Sequence, residues 1–393
     1  MVKLLYAGFD KLDIALTGAF PQETLDDLLE ARELASKMQK PTLVSIGPGK
    51  VHPHVLGHGS SGGYAFILDT GPVGENIFVK NNAKPNEWNL LIKFRSATLL
   101  EYGFEGIKER LFQQFDAMGA HITGMSINRI DYAMDFLCPG FELHMNRFVA
   151  PSGSTKRPHF GDRDTDTAPD PYAPSPVMRG RRLETMTVGK MPGRQVTVYD
   201  KRKDAMVKRK WYWFETWGFE RGDPRAEVWR VEIRAGKKEL KDNWNMRTFE
   251  DVEASLGDVM IRAASKIRYV ADDTDTATNV GRLANHTLWD AVQSALHGNL
   301  YDFRSGLVPG RILDVEIETL RETYKSLILG NAMAYAVAAG MPDEDIMEHL
   351  QDVVGNMILT ELIENTEMAE NRLSNARQRL ANVAKITYAD IPF

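Results

Sequence analysis

At 393 residues the chain is long enough for one large core or two domains, and 43% hydrophobic with 26% charged residues is the balance of an ordinary folded protein. The single cysteine, Cys138, excludes an intramolecular disulfide and a cysteine-rich zinc site. No apolar run reaches the roughly 20 residues of a bilayer span, and Asp10 interrupts the start too early for a signal peptide; a cytoplasmic location with no membrane partner is expected. The net charge of −6 counts against a nucleic-acid partner only as an average. Residues 194–241 carry 14 Lys/Arg against 8 Asp/Glu, whereas 242–393 carry 13 against 24.

Gly8 to Gly18 reads as a strand, and Pro21 to Lys40 as an amphipathic helix with proline at its start and acids in its first turn. Strands are expected around Gly63–Asp69, Asn76–Lys80 and Asn89–Ser96; in the last, Lys93 and Arg95 share a face opposite Ile92 and Phe94. A helix from about Gly106 to Met118 leads into a strand at Asn128–Phe136. Pro151 to Arg182, with six prolines and little apolar periodicity, reads as a long mobile loop. Beyond about Asn243 the pattern is helical, with candidates near 248–271, 286–296, 313–339, 343–364 and 367–385. The expected fold is α+β: a twisted, mainly antiparallel sheet with packed helices over residues 1–241, then an acidic α-helical region over 242–393.

Three segments carry one apolar and one chemically loaded face. Side chains alternate along a strand, so in NRIDYAMDF Arg129, Asp131 and Asp135 oppose Ile130, Tyr132, Met134 and Phe136. In RQVTVYDKRK, Tyr199 and Lys201 oppose Val196 and Val198; in VWRVEIRAGKK, Arg230, Glu232 and Arg234 oppose Trp229, Val231 and Ile233. In a shared sheet, a tyrosine, three carboxylates and several cations would converge on one surface. Asp131, Asp135 and Glu232 are hard oxygen donors suited to Mg²⁺ or Mn²⁺. Arg129, Arg230 and Arg234 suit phosphates, which arginine grips bidentately. A phenol with a pKa near 10 needs a cation beside it to act as a nucleophile. Together these suggest phosphodiester cleavage with covalent capture of DNA on Tyr199.

At these residues the sequence resembles the replication initiation factor family of plasmids and phages, the Rep_trans type of rolling-circle initiator, which includes conjugative relaxases. The family's Arg-Ile/Leu-Asp strand is matched by RIDYAMD, its glycine turn and Tyr-x-Lys strand by TVGKMPGRQVTVYDK, and its Arg-x-Glu strand by RVEIR, in order over roughly residues 8–241. The resemblance implies a site-specific nicking and closing enzyme that forms a 5′-phosphotyrosine link. It makes Tyr199 the candidate nucleophile, with Lys201 beside it, and Asp131 with Glu232, joined by Asp135, the candidate metal ligands. It also implies a single-stranded or hairpin DNA origin as substrate, a host helicase as partner, and a homodimer. Many relatives carry a further tyrosine before the glycine turn, where this chain has Thr187. Two other readings stay open: a DNA-binding regulator that keeps the fold without catalysis, and a relaxase acting at a transfer origin.

Lys201 to Trp217 interleaves Lys201, Arg202, Lys203, Lys208, Arg209 and Lys210 with Trp211, Tyr212, Trp213 and Trp217. Cations beside stacking rings suit a single-strand channel; a basic helix followed by core aromatics is the equal alternative. The cations are expected on DNA with only some of the rings. His52, His54 and His58 lie close in sequence, but Pro53 between the first two is poorly tolerated in a sheet, and a loop of surface histidines, or an incidental metal site, is expected. The apolar stripe of the last helix is expected in the core or against a second copy.

Overall fold

A computed structural model describes residues 2–81, 84, 87–161, 182–302 and 305–383. The fold is α+β. Its strands are β1 (Lys3–Ala19), β2 (Thr42–Leu43), β3 (His54–Val55), β4 (Tyr64–Asp69), β5 (Glu75–Lys80), β6 (Leu90–Phe94), β7 (His121–Leu137), β8 (Phe148–Val149), β9 (Lys156–Gly161), β10 (Arg182–Gly189), β11 (Arg194–Asp200), β12 (Val228–Gly236) and β13 (Arg268–Tyr269). The helices are α1 (Gln22–Met38), α2 (Ser96–Ala117), α3 (Lys201–Val207), α4 (Tyr212–Trp217), α5 (Phe249–Lys266), α6 (Thr287–Leu296), α7 (Arg311–Ala338), α8 (Asp343–Glu364) and α9 (Thr366–Leu380). Eleven strands form one sheet in the order β2-β3-β4-β5-β6-β1-β7-β12-β11-β10-β9, every pair antiparallel.

The long strands β1 and β7 form the spine, paired almost end to end with four register shifts. One shift matters for function. Phe9 pairs with Tyr132 and Lys11 with Asp131, leaving Asp10 as an extra residue. Such a bulge re-aims neighbouring side chains, and here it turns Lys11 to the face of Asp131 instead of toward the core.

The other face is the core. Leu12, Ile14, Ile77, Ile92, Ile130, Val196, Val231 and Ile233 are all buried there, covered by Leu28 of α1, Ile107 and Leu111 of α2, Leu256 and Val259 of α5, and Trp289 of α6. Residues of α5 and α6 belong to the same buried cluster as the sheet. Thr248 and Asp251 cap α5 reciprocally, as a capping box. Beyond this core, α7–α9 bury few side chains, among them Ile312, Val315 and Ala336 of α7 and Ile346 of α8, and α9 buries none. They leave large apolar side chains exposed, including Ile328, Met347, Leu359 and Ile363.

Three local expectations differ from the structure. The helix expected from Gly106 is the second stretch of α2, beyond the break at Gly103 (φ 64°), and a first helical stretch from Ser96, which the apolar pattern does not anticipate, precedes it. The loop expected over 151–182 contributes β9 at Lys156–Gly161; residues 162–181 lie outside the described residues. Pro53 does not keep His54 off the sheet: β3 starts at His54, one residue after the proline, so the missing proline N–H costs no ladder bond, while His52 and His58 lie outside the strands as expected.

Candidate active site

Strand pairing brings the loaded faces of three segments together, as their alternation predicts. Tyr199 pairs with Arg230, Arg230 with Asp135, and Asp135 with Tyr6, in one row across β11, β12, β7 and β1. The next row holds Thr197, Glu232, Ala133 and Gly8, and the third Gln195, Arg234, Asp131 and Lys11. Asp131 and Glu232 are therefore diagonal neighbours. The small residues Ala133 and Gly8 leave room beside them. Part of that room is taken by Tyr6: a Cβ at Gly8 would collide with the Tyr6 hydroxyl.

Each carboxylate of the group is held by arginine. Arg129 grips Asp131 through Nε and Nη2, at 2.8 and 2.6 Å. Arg234 grips Glu232 at 2.7 and 3.1 Å and stands 3.9 Å from Asp131. Both arginine side chains remain about a quarter exposed, whereas Asp131 and Glu232 are almost wholly buried. Burial raises the Asp131 carboxyl well above the ordinary range; the Arg129 hydrogen bonds oppose this and the charge of Glu232 adds to it.

Asp135 and Arg230 are placed differently from expectation. Expected on the metal and on DNA, they are instead each other's partners. Arg230 is fully buried and donates to Asp135 through Nε (2.5 Å) and Nη2 (2.8 Å), and to Asp10 through Nη1 (2.6 Å). Trp217 donates its indole N–H to the same Asp135 carboxylate at 2.9 Å. Both Asp135 oxygens are thereby committed, and the guanidinium, lying 4.2 Å from the Trp213 ring centroid, offers no edge to a phosphate. The reason is the cover supplied by α3 and α4. Tyr212, Trp213, Phe214 and Trp217 form a second apolar cluster with Tyr6, Leu100, Ile312 and Val315 over this end of the face. The rings considered for base stacking are therefore core. Trp211 alone of the four is only partly buried, with Arg221 stacked on it at 4.1 Å.

Tyr199 sits at the rim of this cover, half-buried, with no hydrogen bond to its hydroxyl among the described residues. Burial pushes its phenol up, Arg230 pulls it down, and Glu232 pushes it up again. Lys201 is buried 5.7 Å from the Tyr199 ring centroid and 5.0 Å from that of Trp213, paired with Asp204 at 2.8 Å. Burial and the neighbouring Arg230 lower its pKa.

Most of the remaining cations in this segment are engaged within the chain. Arg202 donates to the Asp223 and Gly222 carbonyls, Lys203 to Glu184, Lys208 to Asp204, and Arg209 to Thr323. Lys210 makes its backbone bond to Ala205. Lys93 stacks on Phe78, and Arg95 pairs with Asp69. Two residues of the site escaped the sequence reading. Asp10 holds Arg230, and Tyr6 lies across the row from Tyr199; only the β1 bulge, invisible to simple alternation, explains the place of Asp10.

The donors suit a divalent cation in one specific way. Among the described residues no group of three or more Asp, Glu, His or Cys side chains is placed to hold a metal. Two adjacent carboxylates are present, and Mg²⁺ is commonly held by one or two carboxylates together with waters and substrate phosphates. Asp131 and Glu232 fit that mode; Asp135 does not.

No family model matches the chain, and no curated protein matches it. Among solved structures, the chain is similar to the rolling circle replication initiator protein from Geobacillus stearothermophilus, at 12% identity and a TM-score of 0.39, over 78% of this chain and 99% of that one. At this distance the likeness carries no functional argument, and the site's own residues must supply one. No helix among the described residues is long and apolar enough to cross a membrane.

Proposed function

We propose that the chain is a rolling-circle replication initiator that nicks single-stranded or hairpin DNA and holds the new 5′ end on Tyr199. The observation that supports this most is the convergence of a half-buried tyrosine, two adjacent carboxylates and two part-exposed arginines on one sheet face. In this reading Arg129 and Arg234 turn from their carboxylates to the DNA phosphates. The freed Asp131 and Glu232 hold Mg²⁺ or Mn²⁺, which when bound polarises the scissile phosphate. The Tyr199 oxygen attacks phosphorus, its proton passing to solvent, and the bond to the 3′ oxygen breaks; that oxygen takes up a proton to become the primer hydroxyl. Arg230, fixed by Asp135 and Asp10, stays in place as a buried positive charge beside the phenol. Lys201 adds a second.

The test is cleavage of single-stranded DNA from the chain's own replicon with Mn²⁺ or Mg²⁺, read on a denaturing gel for wild type, Tyr199→Phe and Glu232→Ala. Loss of nicking in both variants supports the proposal. Tight binding without cleavage by wild type would favour the non-catalytic regulator, and nicking only at a transfer origin would favour the relaxase.

A further inference from the structure

The polar face does not end at the candidate active site. One row of paired residues runs from it across the whole left half of the sheet: Arg129, Asp13, Lys93, Asn76, Asp69 and His54, on β7, β1, β6, β5, β4 and β3. At its far end α9 packs against the sheet edge and a cleft of about 530 Å³ opens between them. That is within the range of small-ligand sites, roughly 300–1,000 Å³. The contact is specific: His54 Nε2 meets the Gln378 carbonyl at 2.7 Å, and Lys40 donates to Asn375.

The cleft is unbalanced in charge. Its lining holds Lys40, Arg95, Arg372 and Arg379 against one carboxylate, Asp69. Asp69 already pairs with Arg95 at 2.7 Å, and Arg372 reaches Glu361 outside the cleft at 3.3 Å. Lys40 and Arg379 have no carboxylate partner among the described residues, and Arg379 instead faces the Tyr324 ring at 5.7 Å. Apolar walls, including Leu56 and Pro72, complete the lining. Uncompensated cations beside apolar surface suit a phosphate attached to a base and sugar.

We infer that this cleft binds a nucleotide through its phosphate, with Lys40 and Arg379 as the principal contacts. The inference rests on the proposed function when the nucleotide belongs to a DNA strand that continues from Tyr199 along this polar face; a free mononucleotide is the other source of the same chemistry. From the Tyr199 strand to β3 is seven strand intervals, about 34 Å at roughly 4.8 Å each. A stacked single strand covers that in about ten nucleotides at roughly 3.4 Å apiece.

The experiment uses the full chain and fluorescence anisotropy with a labelled 20-nucleotide oligothymidylate across a salt series, and isothermal titration with dTMP. Wild type is compared with the double variant Lys40→Ala/Arg379→Ala and with Lys37→Ala, an exposed cation on α1 outside the cleft. Circular dichroism and the thermal midpoint confirm that the variants are folded. If the cleft holds a strand, the double variant binds the oligonucleotide about tenfold or more weakly, and its salt slope falls by about 1.4, the contribution of two single-strand phosphates; Lys37→Ala changes neither. Loss of dTMP binding alone would assign the cleft to a free nucleotide and uphold the inference. Unchanged oligonucleotide and dTMP binding in the double variant would overturn it. Failure of wild type to bind the oligonucleotide would count against the DNA track, and the dTMP arm would still decide the cleft.

Discussion

Removing Asp135 separates a structural role from a metal-binding one. Asp135→Ala would leave the Arg230 guanidinium fully buried with one of its two carboxylate partners gone, and the Trp217 N–H without its acceptor. Breaking a buried ion pair from one side costs about 3–5 kcal/mol. Asp10 still compensates at 2.6 Å, so about 4 kcal/mol is expected, a large share of the roughly 5–15 kcal/mol that holds a folded protein together. The double variant Asp135→Leu/Arg230→Met removes both charges and should recover at least half of that loss, since apolar replacement of a buried pair is often near neutral. Urea denaturation followed by tryptophan fluorescence measures both, because Trp213 and Trp217 pack at this site. Repeating the measurement with single-stranded DNA, with and without Mg²⁺, completes the test. A cation at 100 times its Kd stabilises the folded state by about 2.7 kcal/mol; that increment should persist in Asp135→Ala and vanish in Asp131→Asn. A cost below about 1 kcal/mol, or loss of the Mg²⁺ increment in Asp135→Ala, would refute the assignment.

Arg129→Ala and Arg234→Ala should each lower the salt slope of single-stranded DNA binding by about 0.7, measured by anisotropy, if each arginine takes one phosphate. Acid should weaken the ion pairs within α3: burial favours the neutral form of Asp204, but the charge and hydrogen bond of Lys201, with Lys208, outweigh it and depress its pKa. A depressed folded pKa means stability that is complete above the unfolded value, near 3.9, and is lost as pH falls through and below it. Urea midpoints at pH 5 and pH 3 should therefore converge in Asp204→Asn relative to wild type. The exposed apolar side chains of α7–α9 should serve self-association; sedimentation velocity should show a dimer that Leu359→Glu/Ile363→Glu converts to monomer.

The site face of β7, β11 and β12 was legible because a strand's side-chain period is two and these strands are regular through the residues concerned. Once Tyr199, Arg230 and Asp135 alternate correctly in sequence, pairing aligns them. What alternation cannot show is an irregularity or a cover. The bulge at Asp10 changes which residues of β1 face the site, and no residue type announces it. The burial of Arg230 depends on α3 and α4, whose mixture of cations and rings reads equally well as a DNA channel. In the structure Trp213 and Trp217, four apart on one helical face, turn inward to form the second cluster, while Lys203 and Lys208 turn to acidic partners. The helices after residue 242 are visible in the sequence as helices, but which of them join the core is set by apolar residues distributed over distant segments, from Leu256 to Trp289.

The most direct test of the central claim is the identity of the atom that holds the DNA. Wild-type protein is incubated with its replicon's single-stranded origin and Mn²⁺, digested with trypsin and nuclease, and the peptides mapped by mass spectrometry. The account predicts a nucleotide phosphate on Tyr199 alone, absent from Tyr199→Phe. An adduct on Tyr6 or another residue, or cleavage with no adduct at all, would contradict it.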